Sequence, residues 1–231
     1  MSAARDEILA RIRASLRDVP AAERAADAAV PRDYRCEGER DPHALQTRLC
    51  ERLEEYGATV TLAPAAGVAA AVAELCRSLG LRRIAVPPRL PDAWRPPGVE
   101  IVADDGLALA ALDALDGALT GCAVAAAQTG TIALDGGERC GRRALTLVPD
   151  HHVCVVTGEQ IVDLVPEAIA RLARAATTER APVTLISGPS ATSDIELSRV
   201  VGVHGPRHLH VVLCGRVHAP VQASVHGPIP G

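Results

Sequence analysis

The sequence predicts an α/β fold, with a mostly parallel sheet, flanking helices, a β-rich middle and an N-terminal helical arm. Three observations carry that reading. Short β-branched runs alternate with helix-length amphipathic segments from residue 41 to about 115. The next stretch, Ala118–Leu134, is small and apolar, is broken at Gly130, and runs into the turn Asp135-Gly136-Gly137. Beyond a further helix the chain returns to two apolar runs, Val183–Ile186 and His208–Cys214, around a polar loop.

Residues 3–17 read as an amphipathic helix, with Ile8, Leu9, Ile12 and Leu16 on one face. A polar, Ala-rich segment with Pro20 and Pro31 follows and reads as a linker. Asp41-Pro42 is an N-cap with proline at the first helical position; Leu45, Leu49 and Leu53 continue the stripe, and Gly57 ends it. Strand Thr59–Ala63, helix Val68–Leu79, strand Arg83–Val86, strand Val99–Ala103 and a short helix Leu107–Leu115 come next. Arg142–Pro149 and Val153–Val156 read as further short strands, and Pro166–Ala176 as a helix. Gly188-Pro189 breaks the strand at Val183–Ile186. Ser193 and Glu196 have capping-box spacing, which predicts a short helix to about Val201 and places the loop at the carboxyl end of a parallel strand. The division that results is an N-terminal helix and linker, 1–40, an α/β domain, 41–215, and a Pro/Gly-rich tail, 216–231.

Composition excludes several functions. The net charge is −4, there is no Phe and one Trp, so a basic stacking surface for nucleic acid is not expected, nor is an anionic membrane partner. All 24 basic residues are arginine, which removes Schiff-base chemistry and the usual phosphate-binding lysine loop. The seven cysteines form no C-x-x-C pair and fit neither zinc nor iron–sulfur spacing. They read as buried thiols of a cytoplasmic protein, as does the lack of a signal-peptide pattern. No cofactor motif is evident.

Two polar, glycine-containing breaks are the candidate site. Thr129, Gly130 and Thr131 form one; Gly188, Ser190, Thr192, Asp194 and Glu196 form the other, with His204 following. They are expected to meet at one cleft and hold a small anion, the hydroxyls donating and Asp194 orienting them. The competing reading is structural: Ser193 and Glu196 cap a helix, Asp194 answers its dipole, and Gly130 marks a bulge. His208 and His210 share a strand face and with His204 have metal-ligand chemistry; ordinary hydrogen-bonded histidines are the reading adopted, with no metal.

The motifs T-G-T-I (Thr129–Ile132), R-x-L-x-L-V-P-D-H-H (Arg143–His152), I-V (Ile161-Val162), S-G-P-S-x-T-x-D-I-E (Ser187–Glu196) and G-V-H-G-P-R (Gly202–Arg207) together resemble the LUD domain, and within it the lactate-utilization protein C type. The resemblance covers about residues 45–215, and Ile8–Arg13 suits the N-terminus of that family. It implies a fold similar to the NagB/RpiA/CoA-transferase group. It also implies work beside iron–sulfur proteins in bacterial oxidation of L-lactate to pyruvate. Without cluster cysteines or a dinucleotide fingerprint, the expected role is a non-redox component that binds a small carboxylate or a partner. The alternative is a stand-alone small-molecule transferase or ligase, with Asp194 or Glu196 as the catalytic carboxylate.

Overall fold

The computed structural model describes residues 3–18, 31, 33–177, 181–193, 199–201 and 205–215. The chain divides into two compact units, Met1–Arg35 and Cys36–Gly231. The first contains helix α1, Ala3–Ser15, on which Ile8 and Ile12 are exposed, as is Leu16 just beyond it.

The second unit begins with α2, Pro42–Glu55, capped by the Asp41 carboxylate, which accepts from the His43 and Ala44 N–H groups. Strand β1 (Thr59–Ala63), helix α3 (Val68–Leu79), strand β2 (Arg83–Val86), strand β3 (Glu100–Ala103) and helix α4 (Leu109–Asp113) follow. Next come β4 (Gly117–Gly121), β5 (Val124–Ala126), β6 (Thr131–Leu134), β7 (His151–Thr157), β8 (Ile161–Val162) and α5 (Val165–Thr177). Strands β9 (Thr184–Ile186), β10 (Ala191–Ser193), β11 (Arg199–Val201) and β12 (His208–Cys214) complete the described elements.

Six strands form a parallel sheet in the order β1-β12-β7-β4-β2-β3. Side chains alternate across it. Val153, Val155, Val212, Ile84 and Leu119 meet α3 through Val68, Val72 and Cys76. Cys154, Val156, Leu209, Val211 and Leu213 meet Leu45, Leu49 and Leu53 of α2, together with Ala125 and Ile132 of a smaller sheet. That sheet runs β8-β5-β6-β9, and its other face is covered by α5 through Ala168 and Leu172. The arm leading into α2 is fastened to this layer: Asp163 is 2% exposed, accepts from the Glu39 N–H and pairs with Arg48.

Three local expectations are corrected. Ser193 does not open a helix to Val201. Ala191–Ser193 and Arg199–Val201 are antiparallel partners, because strand pairing outweighs a four-residue capping pattern. Strand β9 is antiparallel to β6, so the loop after it is not at the carboxyl end of a parallel strand and is not a helix N-terminus. Residues 142–149 form turns rather than a strand, and β7, read as part of a β-rich middle, lies inside the main parallel sheet.

Candidate functional site

The two polar breaks come together through hydroxyls. Thr131 Oγ1 lies 2.8 Å from Thr129 Oγ1 and 3.1 Å from Ser187 Oγ. Their glycines serve the fold. Gly130 sits at φ +61, and a Cβ there would come within 2.8 Å of Arg52 Cβ and 3.0 Å of the Arg52 carbonyl carbon. A Cβ at Gly188 would lie 2.7 Å from the Tyr56 carbonyl oxygen. Both positions therefore admit the C-terminal end of α2, and at Gly130 the helix takes the space left open for a ligand.

Ser187–Ala191 forms one wall of a cleft of about 630 Å³, to which Thr129–Thr131 do not contribute. Tyr56, at the end of α2, and the Gly205-Pro206 turn close it, and the Ser190 N–H donates to the Pro206 carbonyl at 2.8 Å. The opposite wall carries Arg143, Thr146, His152 and Leu209. His152 and Leu209 are each second in their strands, β7 and β12, which places the cleft at the amino end of the main sheet. Of the remaining expected residues, Thr192 lies in β10, while Asp194, Glu196 and His204 fall outside the described residues.

Arg143 and His152 give the cleft its chemistry. Arg143 is half-buried, and burial lowers the pKa of its guanidinium below the usual value. Its Nη1 donates to the Thr146 carbonyl at 3.3 Å and to Thr146 Oγ1 at 3.1 Å. Its Nε and Nη2 have no partner among the described residues, and no carboxylate pairs with it there. One residue earlier, Arg142 uses that same edge to grip both oxygens of the buried Asp104, each at 2.8 Å. His152 is 2% exposed, and burial, then the charges of Arg143 and His210, push its pKa down to about 3, so the ring is neutral. Its Nε2 lies 2.8 Å from Thr120 Oγ1.

On the other face of the same sheet end, His151, His208 and His210 stack with ring centroids 4.5, 5.4 and 6.3 Å apart. His151 Nδ1 lies 3.2 Å from His210 Nε2. His208 and His210 share a face as expected, but no group of three ligands able to hold a metal occurs among the described residues.

Arg143 and His152 lie inside R-x-L-x-L-V-P-D-H-H, yet neither was among the expected site residues. Their place in the cleft rests on a long-range hydrogen bond to Thr120 and on the lack of an acid partner for Arg143 among the described residues, which spacing does not encode. The one available signal was the adjacent arginine pair, Arg142-Arg143.

Fold and cleft define a class: an α/β protein with a six-stranded parallel sheet, a smaller sheet packed on it, and an arginine-bearing cleft between them. The chain matches the LUD domain family over residues 99–214 and belongs to that family. It is 48% identical over 167 residues to lactate utilization protein C of Deinococcus radiodurans, covering 71% of this chain and 77% of that protein. Lactate utilization protein C of Halalkalibacterium halodurans is 37% identical over 83 residues, covering 35% of this chain and 36% of that protein. The crystal structure of a DUF162 family protein from Deinococcus radiodurans superposes with a TM-score of 0.67 at 38% identity, covering 77% of this chain and all of that one. Among the described residues no helix is long and apolar enough to cross a membrane.

Proposed function

We propose that this chain is a non-redox component of a bacterial L-lactate utilization system, acting beside iron–sulfur partner proteins, and that the Arg143 cleft holds a small carboxylate. One observation carries the ligand assignment. Among the described residues Arg143 lines a cleft that carries no acid, its Nε and Nη2 have no partner there, and the same edge of Arg142 already holds a carboxylate in two-pronged fashion. A half-buried guanidinium without a counter-charge is costly unless an anion completes it. The names of the relatives supply the lactate context. The hydroxyl of Ser187, on the cleft wall, is a further contact for a carboxylate oxygen.

Calorimetric titration of the purified protein with L-lactate and pyruvate tests the ligand, with Arg143→Gln as the control. Binding should be saturable and should weaken at least about tenfold in the variant, the scale of one lost charge-assisted pair. Equal affinity in the two proteins would remove Arg143 from the site. Growth on L-lactate of a bacterium deleted for its own counterpart, complemented with this chain, tests the system; failure to restore growth would reject that assignment.

A further inference from the structure

The cleft holds a second group whose protonation can be worked out from hydrogen-bond accounting. Thr120 is completely buried, and among the described residues its hydroxyl has one partner, His152 Nε2, at 2.8 Å. A buried hydroxyl whose proton finds no acceptor leaves that donor unsatisfied. The Thr120 O–H therefore donates and His152 Nε2 accepts. Nε2 then carries no proton, and the neutral ring must carry it on Nδ1. No partner for Nδ1 exists among the described residues, and His152 lines the cleft.

Resting on the carboxylate reading of the cleft, we propose that His152, fixed by Thr120 as the Nδ1–H tautomer, is its specificity-determining residue and makes it prefer a 2-oxo acid to the matching 2-hydroxy acid. The ligand carboxylate takes the open edge of Arg143. Its C2 oxygen meets an N–H that can only donate. A keto oxygen answers this without remainder, while a hydroxyl brings a proton of its own that the imidazole cannot accept. The low pKa of His152 supports the same picture, since a ring that stays neutral keeps its tautomer through the physiological range. Thr120 is a positioning residue, because it acts through His152.

Two measurements test this. Two-bond ¹⁵N–¹H correlation spectra of protein labelled at histidine, with His152→Gln to assign the signal, report the tautomer without ligand. Nδ1–H is expected, and Nε2–H would overturn the proposal. Calorimetry with sodium pyruvate and sodium L-lactate then reads the preference, which should favour pyruvate about fivefold to tenfold. Thr120→Val, near in shape but without the hydroxyl, should shift His152 toward Nε2–H and shrink the preference to about twofold or less. Thr120→Ser should restore both. A preference unchanged in Thr120→Val, or lactate binding as tightly as pyruvate to the parent, overturns the role of His152 while leaving the carboxylate site intact. If neither acid binds, or both bind unaffected by Arg143→Gln, the carboxylate reading fails and this inference fails with it.

Discussion

Arg142 and Arg143 stand side by side on one turn and are used in opposite ways. Arg142 lays its Nε–Nη2 edge against both oxygens of Asp104, whose side chain is 1% exposed, and also donates to the Leu107 carbonyl. With the Leu107 N–H donating to the same carboxylate, this cluster ties two loops together. Asp163 does the same elsewhere, joining Arg48 of α2 to Glu39 of the preceding arm. Among the described residues Arg143 has no such acid, and it lines the cleft. The difference separates arginines that hold the fold from one that lines a cleft. It also shows why counting charged residues in a motif says little about which of them work on a substrate.

The comparison can be broken by experiment. Removing a filled arginine should cost most. Arg48→Met takes the Arg48 guanidinium from the buried Asp163 carboxylate, and a loss of about 3–5 kcal/mol is expected, on the order of 10 °C in Tm by calorimetry. A change under 1 kcal/mol would mean that the remaining partners of Asp163, the Glu39 N–H among them, satisfy it without Arg48. Gly130→Ala should be next. It combines positive φ with a Cβ driven into the Arg52 backbone, and about 1–3 kcal/mol of destabilisation in urea unfolding is expected. Gain of stability would show that α2 yields easily at that contact.

Acid should act more gradually, through the histidines at the amino end of the sheet. Burial, with the neighbouring charges, lowers His152 to about 3 and His210 to about 4 from 6.5. Both groups bind protons more readily in the unfolded chain, so their contribution is fully present above pH 6.5 and is lost as pH falls from there through the folded values. The slope should be about 1.4 kcal/mol per pH unit for each histidine. Denaturant midpoints measured between pH 7 and 5 check it, and His210→Gln should remove roughly half of the slope. The smallest stability effect is expected at the unfilled arginine: Arg143→Gln should change unfolding free energy by about 1 kcal/mol or less while weakening carboxylate binding. A loss as large as that of Arg48→Met would erase the distinction between the two kinds of site.

Local chemistry made much of this fold readable. The cap at Asp41, the Leu45–Leu49–Leu53 stripe, and the extents of β1, α3, β2 and β12 all follow from patterns within a few residues. The meeting of Thr131 with Ser187 was also legible, as two polar breaks ending apolar strands. What sequence did not reveal depends on distant partners. Ser193-x-x-Glu196 looks like a helix start until Arg199–Val201 pairs back on Ala191–Ser193. Gly130 looks like room for a ligand until the end of α2 fills that place. His152 looks ordinary until Thr120 is found beneath it.

The sheet order has a consequence for how the protein is made. Strand β12, the last described strand, lies between β1, the first of the sheet, and β7, and bonds to both along its length. A ribosome-bound chain that has not yet released residues 208–214 cannot join these two strands, and each presents an unpaired edge. Assembly of the sheet must therefore wait for residues 208–214 to emerge, and its long sequence separations imply slow folding. Chains cut short before His208 should collect as aggregates rather than as partly folded soluble protein, which makes the stretch just before β12 a poor place to truncate or to pause synthesis.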